Sequence, residues 1–217
     1  MNGCPLICGG FDGSYLKDCI FIGQSNQPIK MLEERRGASG IVLGQSVLWI
    51  VGGRDGRFSG LSSSEFIQIG RLTILFKFPI ILIPKILEYF IGLGQPPIKG
   101  PDLPFPIRWH SMLHFDKNCI YIIGGFQNDS VSRKTWIVTL NNFNISENGG
   151  KFEFEIKEGP SLNIDRKEHS SGKMEINGKT YLIAAGGIDE ANSYLDSVEI
   201  LDPLDGKGWK LGTKYKI

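Results

Sequence analysis

The 217-residue chain has no excess charge of either sign: 24 Lys and Arg stand against 23 Asp and Glu, a net charge of +1. That balance removes the bulk electrostatic basis for binding nucleic acid or a membrane surface. Histidine is scarce, at three residues, and so is cysteine, at four. Cys4, Cys8, Cys19 and Cys119 form no CxxC pair, and their spacing matches no zinc site. Neither a GxSxG nucleophile elbow nor a phosphate-binding P-loop occurs. Met1–Gly10 has no basic stretch followed by a long apolar run, so no secretory leader is visible there. The longest apolar stretch, residues 71–94, is interrupted by Lys77, Pro79, Pro84, Lys85 and Glu88. Those residues break the ~20-residue apolar length that a membrane helix needs. These absences point away from an enzyme, a metal, a cofactor, a nucleic-acid partner and a membrane span.

Glycine is what the chain has in plenty: 28 residues, nearly twice the usual ~7% share. Four apolar runs each end in a glycine pair, at Gly9–Gly10, Gly52–Gly53, Gly124–Gly125 and Gly186–Gly187. The pairs begin 43, 72 and 62 residues apart. Each run is continuously apolar, as expected of a strand buried on both faces. Before three of them stand Arg36-Gly-Ala-Ser39, Arg108-Trp-His110-Ser111 and Arg166-Lys-Glu-His169-Ser170, each opening a first strand. Hairpin turns follow at Gly44-Gln45, Asp116-Lys-Asn118 and Asn177-Gly178. Third strands are expected at Cys19–Ile22, Glu65–Ile69, Thr135–Leu140 and Ser197–Ile200, and a fourth at Phe152–Ile156, where apolar and charged residues alternate.

An apolar strand, Gly-Gly, then a downstream Tyr and Trp, resembles the kelch repeat, whose unit is ~50 residues. Gly186-Gly187, Tyr194 and Trp209 carry the likeness best; Tyr15 matches in the first unit, and the middle units lack both aromatics. The resemblance implies an all-β fold: a kelch-type β-propeller arc of about four four-stranded blades, incomplete, over residues 1–217. The blades run over 1–37, 38–107, 108–166 and 167–217, the first without its first strand. A closed four-blade ring is the alternative. Residues 71–94 fit no blade, and deleting them shortens the enclosing repeat from 72 to 48 residues. They read as an apolar insertion outside the sheets, or as translated noncoding sequence.

His110 and His169 share a repeat position, which expects a structural hydrogen bond at the start of a strand rather than metal ligation. The resemblance implies a non-enzymatic protein-interaction scaffold, a ubiquitin-ligase adaptor being one such role. A carbohydrate-binding or galactose-oxidase-like extracellular propeller is the alternative, although the copper-site cluster of Tyr, His and Cys has no match here. Arg35, Arg36, Arg54, Arg57, Arg108, Arg133 and Arg166 fall in or beside loops of one side of the arc. They are the candidate partner-binding residues, suited to an acidic peptide because a guanidinium pairs bidentately with carboxylates. Arg36, Arg108 and Arg166 have a second reading as repeat positions bracing neighbouring blades. Open blade edges add self-association. The cysteines read as buried thiols in a cytoplasmic protein or, with the sequons Asn128-Asp-Ser130 and Asn144-Ile-Ser146, as a Cys8–Cys19 disulfide in a secreted one.

Overall fold

The computed structural model describes residues 5–22, 28–44, 46–57, 59–69, 96–146 and 149–212, with side chains described outside 143–152. The insertion proposed at 71–94 lies outside the described residues. All regular structure among the described residues is β-strand, and each apolar run before a glycine pair is extended. In chain order the first sheet holds β1 (Leu6–Phe11), β2 (Tyr15–Phe21) and β3 (Ile29–Lys30). The second holds β4 (Ser39–Leu43), β5 (Val47–Val51), β6 (Ser64–Gln68) and β7 (Ile98–Lys99). The third starts with β8 (Ser111–His114) and β9 (Cys119–Ile123). A two-stranded ribbon of β10 (Phe126–Gln127) and β11 (Ser130–Val131) interrupts it before β12 (Thr135–Ser146) and β13 (Gly149–Glu158). The fourth holds β14 (Ser170–Ile176), β15 (Lys179–Ala185), β16 (Val198–Leu201) and β17 (Lys210–Leu211). Every pairing is antiparallel between strands consecutive within their sheet, and none of the sheets closes on itself.

The sheets stack face to face because side chains alternate along a strand. In β5, Ile50 and Leu48 join Cys19 and Met31 of the first sheet, while Val47, Trp49 and Val51 join Ile120, Ile122 and Val138 of the third. In β9, Tyr121 and Ile123 turn the other way, onto Leu182, Ala184, Leu201 and Trp209 of the fourth sheet. A run buried on both faces has no room for polar residues, which is why β5 and β9 read as unbroken apolar sequence. The outward face of the first sheet carries cross-strand Ile7 and Ile20, 57% and 47% exposed. β4, β8 and β14 stand side by side along one edge of the stack.

The glycine pairs follow from how closely each sheet approaches the segment leading to the next. At Gly52 (φ 65°) a Cβ would lie 2.3 Å from the Ile107 carbonyl oxygen, and Gly53 donates its N–H to that same oxygen at 2.8 Å. Gly10 and Gly125 donate identically to Arg35 and Arg166. No residue with a side chain fits where the backbone comes this near.

Candidate functional site

Those three carbonyls put the inter-sheet segments in register: Arg35, Ile107 and Arg166 are equivalent, and so are the next residues, Arg36, Arg108 and Lys167. The sequence alignment of Arg166 with Arg36 and Arg108 is therefore one residue out. The slip matters because the two positions face opposite ways. Arg35 and Arg166 are 1% and 0% exposed. Arg35 Nε meets Glu65 Oε1 at 2.7 Å, and its other nitrogens donate to the Gly52 and Ser63 carbonyls and to Glu33. Arg166 repeats the pattern with Glu199 at 2.9 Å and the Gly186 and Ser197 carbonyls. Each carboxylate also accepts a backbone N–H, from Leu32 or from Asn163. Arg35 and Arg166 are thus taken out of the surface set. They brace one sheet against the next, as the second reading of Arg166 anticipated.

At the following position Arg36 is exposed, and Arg108 and Lys167 are half-buried. Arg36, Arg108 and Lys167 form isolated bridges with the residue just after a glycine pair, namely Arg54, Phe126 and Ile188. This assembles a continuous surface of cations and rings. The Arg36 guanidinium lies 4.9 Å from the Phe11 ring centroid. Arg54 lies over Tyr15 and donates Nε–H to its phenol oxygen at 2.9 Å. Arg108 covers Trp109 and Phe126 at 4.8 and 4.3 Å, and the Lys167 ammonium reaches the same two rings at 5.6 and 5.7 Å. Partial burial and the nearby Arg54 charge lower the Arg108 pKa, while Asp129 acts in the opposite direction. Contact with the rings holds these cations in place.

Arg57 and Arg133 are exposed, and Arg57 is tied to Asp55 by an ion pair of 2.6 Å. The structure therefore gathers Arg36, Arg54 and Arg108 from the sequence set and adds Lys167, Phe11, Tyr15, Trp109 and Phe126. Counting back three residues from the strand-opening Ser39, Ser111 and Ser170 reaches Arg36, Arg108 and Lys167, a signal that was available in the sequence.

Two of the three histidines join sheets; the third, His110, is buried with neither ring nitrogen hydrogen-bonded, contrary to the structural hydrogen bond expected of it. His169 Nε2 is 2.8 Å from Ser111 Oγ, and His114 Nε2 is 2.8 Å from the Val42 carbonyl. Burial lowers the His110 pKa to about 3 and that of His169 to about 4, so both are neutral at physiological pH. Among the described residues, no three His, Cys, Asp or Glu side chains gather as a metal site would require, and no helix is long and apolar enough to cross a membrane. Cys8 and Cys19, directly opposed across β1 and β2 with Cα atoms 4.0 Å apart, form a disulfide. Cys119 is a free thiol whose pKa is raised, first by burial. No protein-family model matches the chain, and comparison with curated proteins returns no match.

Proposed function

We propose that the chain is an arc of kelch-type propeller blades that serves as a non-enzymatic protein-interaction scaffold and binds an acidic peptide. The observation that carries this reading is the contiguous surface of Arg36, Arg54, Arg108 and Lys167 interleaved with Phe11, Tyr15, Trp109 and Phe126. Guanidinium groups held against rings lose little freedom when they pair with a carboxylate, and their bidentate fork suits one. The rings supply apolar contact for the side chains between the acidic ones. The blade reading is supported by three sheet-to-sheet junctions that reuse one backbone hydrogen bond, and by the meander of strands in each sheet.

The Cys8–Cys19 disulfide weighs the compartment toward the secreted alternative, since disulfides persist in oxidising surroundings and are rare in the cytosol. A ubiquitin-ligase adaptor works in a reducing compartment, so extracellular protein binding is the stronger form of the proposal. The test is fluorescence anisotropy with Glu-rich and matched Gln-rich peptides. Arg108→Ala and Arg54→Ala are each expected to weaken the Glu-rich complex at least 10-fold, the size of a well-desolvated arginine contact at ~2 kcal/mol. Equal binding of both peptides, or unchanged affinity in the folded double variant, rules the reading out.

A further inference from the structure

We infer that Asn128 is an N-glycosylation site, carrying a glycan beside the cation and aromatic surface. The sequon Asn128-Asp129-Ser130 forms the tip of the ribbon of β10 and β11. Gln127 pairs with Ser130 across it, leaving Asn128 and Asp129 as a two-residue turn. Both have positive φ, 49° and 61°, as a type I′ hairpin requires. All three sequon residues are exposed, and among the described residues no hydrogen bond engages the Asn128 carboxamide. A bulky polar group on this tip meets solvent and leaves the sheets undisturbed.

The independent observation is the disulfide in the first sheet, which belongs to the same oxidising pathway in which asparagine-linked glycans are added. In that reaction Nδ2 of Asn128 attacks C1 of the first sugar of a lipid-pyrophosphate-linked oligosaccharide. The new N–C bond replaces the C1–O bond to pyrophosphate, the lipid pyrophosphate leaves, and the amide proton passes to a base of the transferase. Ser130 supplies the hydroxyl two residues on that the transferase recognises. The second sequon differs in setting: Asn144 lies within β12, paired with Lys151.

The placement sets a boundary on the partner. Phe126, two residues before Asn128, is one of the two rings under Arg108 and Lys167, and the Asp129 charge acts on Arg108. A glycan here walls one side of that surface, so a bound peptide approaches from the side of Arg36 and Arg54.

The test routes the full chain through the secretory pathway of insect cells and collects retained and secreted protein together. Digestion with a peptide N-glycosidase is expected to convert Asn128 to Asp in the peptide that spans it. Asn128→Gln is expected to remove one glycan's mobility shift. Ser130→Ala, which keeps Asn128 and the turn's backbone, is expected to remove the same shift. Because transfer precedes folding, a variant that misfolds still reports. Recovery of Asn128 only in unmodified form overturns the inference, as does a shift that survives Asn128→Gln and disappears in Asn144→Gln. Peptide binding by the unglycosylated chain is a separate measurement, so loss of either reading leaves the other standing.

Discussion

The junctions between sheets one and two and between sheets three and four differ from the junction between two and three in one respect. The outer two are braced by a buried arginine and glutamate, Arg35 with Glu65 and Arg166 with Glu199, all four side chains fully covered. At the middle junction Ile107 stands where the arginine would, and Trp136 where the glutamate would. Other groups take over part of the lost polar pairing there. The Gly124 carbonyl, equivalent to those that Arg35 and Arg166 satisfy at Gly52 and Gly186, accepts instead from Gln127 Nε2 at 3.3 Å. Gln127 Oε1 in turn takes the Trp136 indole N–H at 3.4 Å, and Phe105 stacks on Trp136 at 4.3 Å. Pro104 occupies the place of Leu32 and Asn163, whose N–H groups the glutamates accept; proline has no N–H to leave unpaired. One backbone geometry is thus served by two side-chain sets, an arginine–glutamate ion pair at the outer junctions and Gln127 with Trp136 at the middle one. Buried polar groups are costly singly and tolerable in complete networks.

The sharpest break is to take one member from a brace. Glu199→Leu leaves the Arg166 charge buried without its counter-ion, and unfolding in urea is expected to show a loss of about 3–5 kcal/mol. Arg166→Ile combined with Glu199→Trp imitates the middle junction, and the double variant is expected to lose less than Glu199→Leu alone. If it loses as much, the two sets are not interchangeable. At the middle junction Ile107→Ala creates a cavity in an apolar site, with an expected loss of about 2–4 kcal/mol and no dependence on salt.

The disulfide separates the two outer junctions from each other. It lies within sheet one, joining β1 to β2, with Cys19 in the core that sheet one shares with sheet two; among the described residues no disulfide lies in sheets three and four. Cys8→Ser with Cys19→Ser is expected to cost about 2–3 kcal/mol. Hydrogen exchange should rise in β1 and β2 and remain unchanged in β15 and β16. Uniform acceleration across all four sheets would show that the stack opens as one unit.

Acid should act on the middle and last junctions through His110 and His169. In the unfolded chain both bind protons near the ordinary 6.5, whereas burial holds the folded values at about 3 and about 4. Between those limits the unfolded chain binds more protons, so their contribution to stability is complete above pH 6.5 and is lost on acidification. Moving from pH 7.5 to 5 is expected to remove roughly 2 kcal/mol per histidine. His169→Gln, which keeps a group able to reach Ser111, should flatten part of that pH dependence; an unchanged slope would exclude His169 as its source.

Much of the strand pattern was legible before any coordinates. The four Gly-Gly runs and the strand openings at Ser39, Ser111 and Ser170 appear where period and turn residues put them; the third strands overlap their expected places, but β2 begins at Tyr15 rather than Cys19 and β12 runs on to Ser146. The candidate site was half legible. Arg36, Arg54 and Arg108 reach the common surface, but Arg35 and Arg166 turn inward and Lys167 was missed. In an irregular segment a one-residue shift changes which side a chain presents, and no period of two or 3.6 exists there to reveal it. The alternation of Arg, Ile and Arg at the buried position concealed it further.

By itself the sequence determined the repeat. Glycine alone allows the backbone approach at Gly52 or Gly124, and an unbroken apolar run such as Val47–Val51 demands cover on both faces. Only the tertiary structure decided which arginines are braces and which face solvent. Glu65 lies 30 residues beyond Arg35, and Glu199 lies 33 beyond Arg166. Nothing local marks those pairs; they meet because two sheets stack and bury both charges together. The same stacking brings Arg54, Arg108 and Lys167 from three separate loops to one surface, a juxtaposition set by the spacing between sheets.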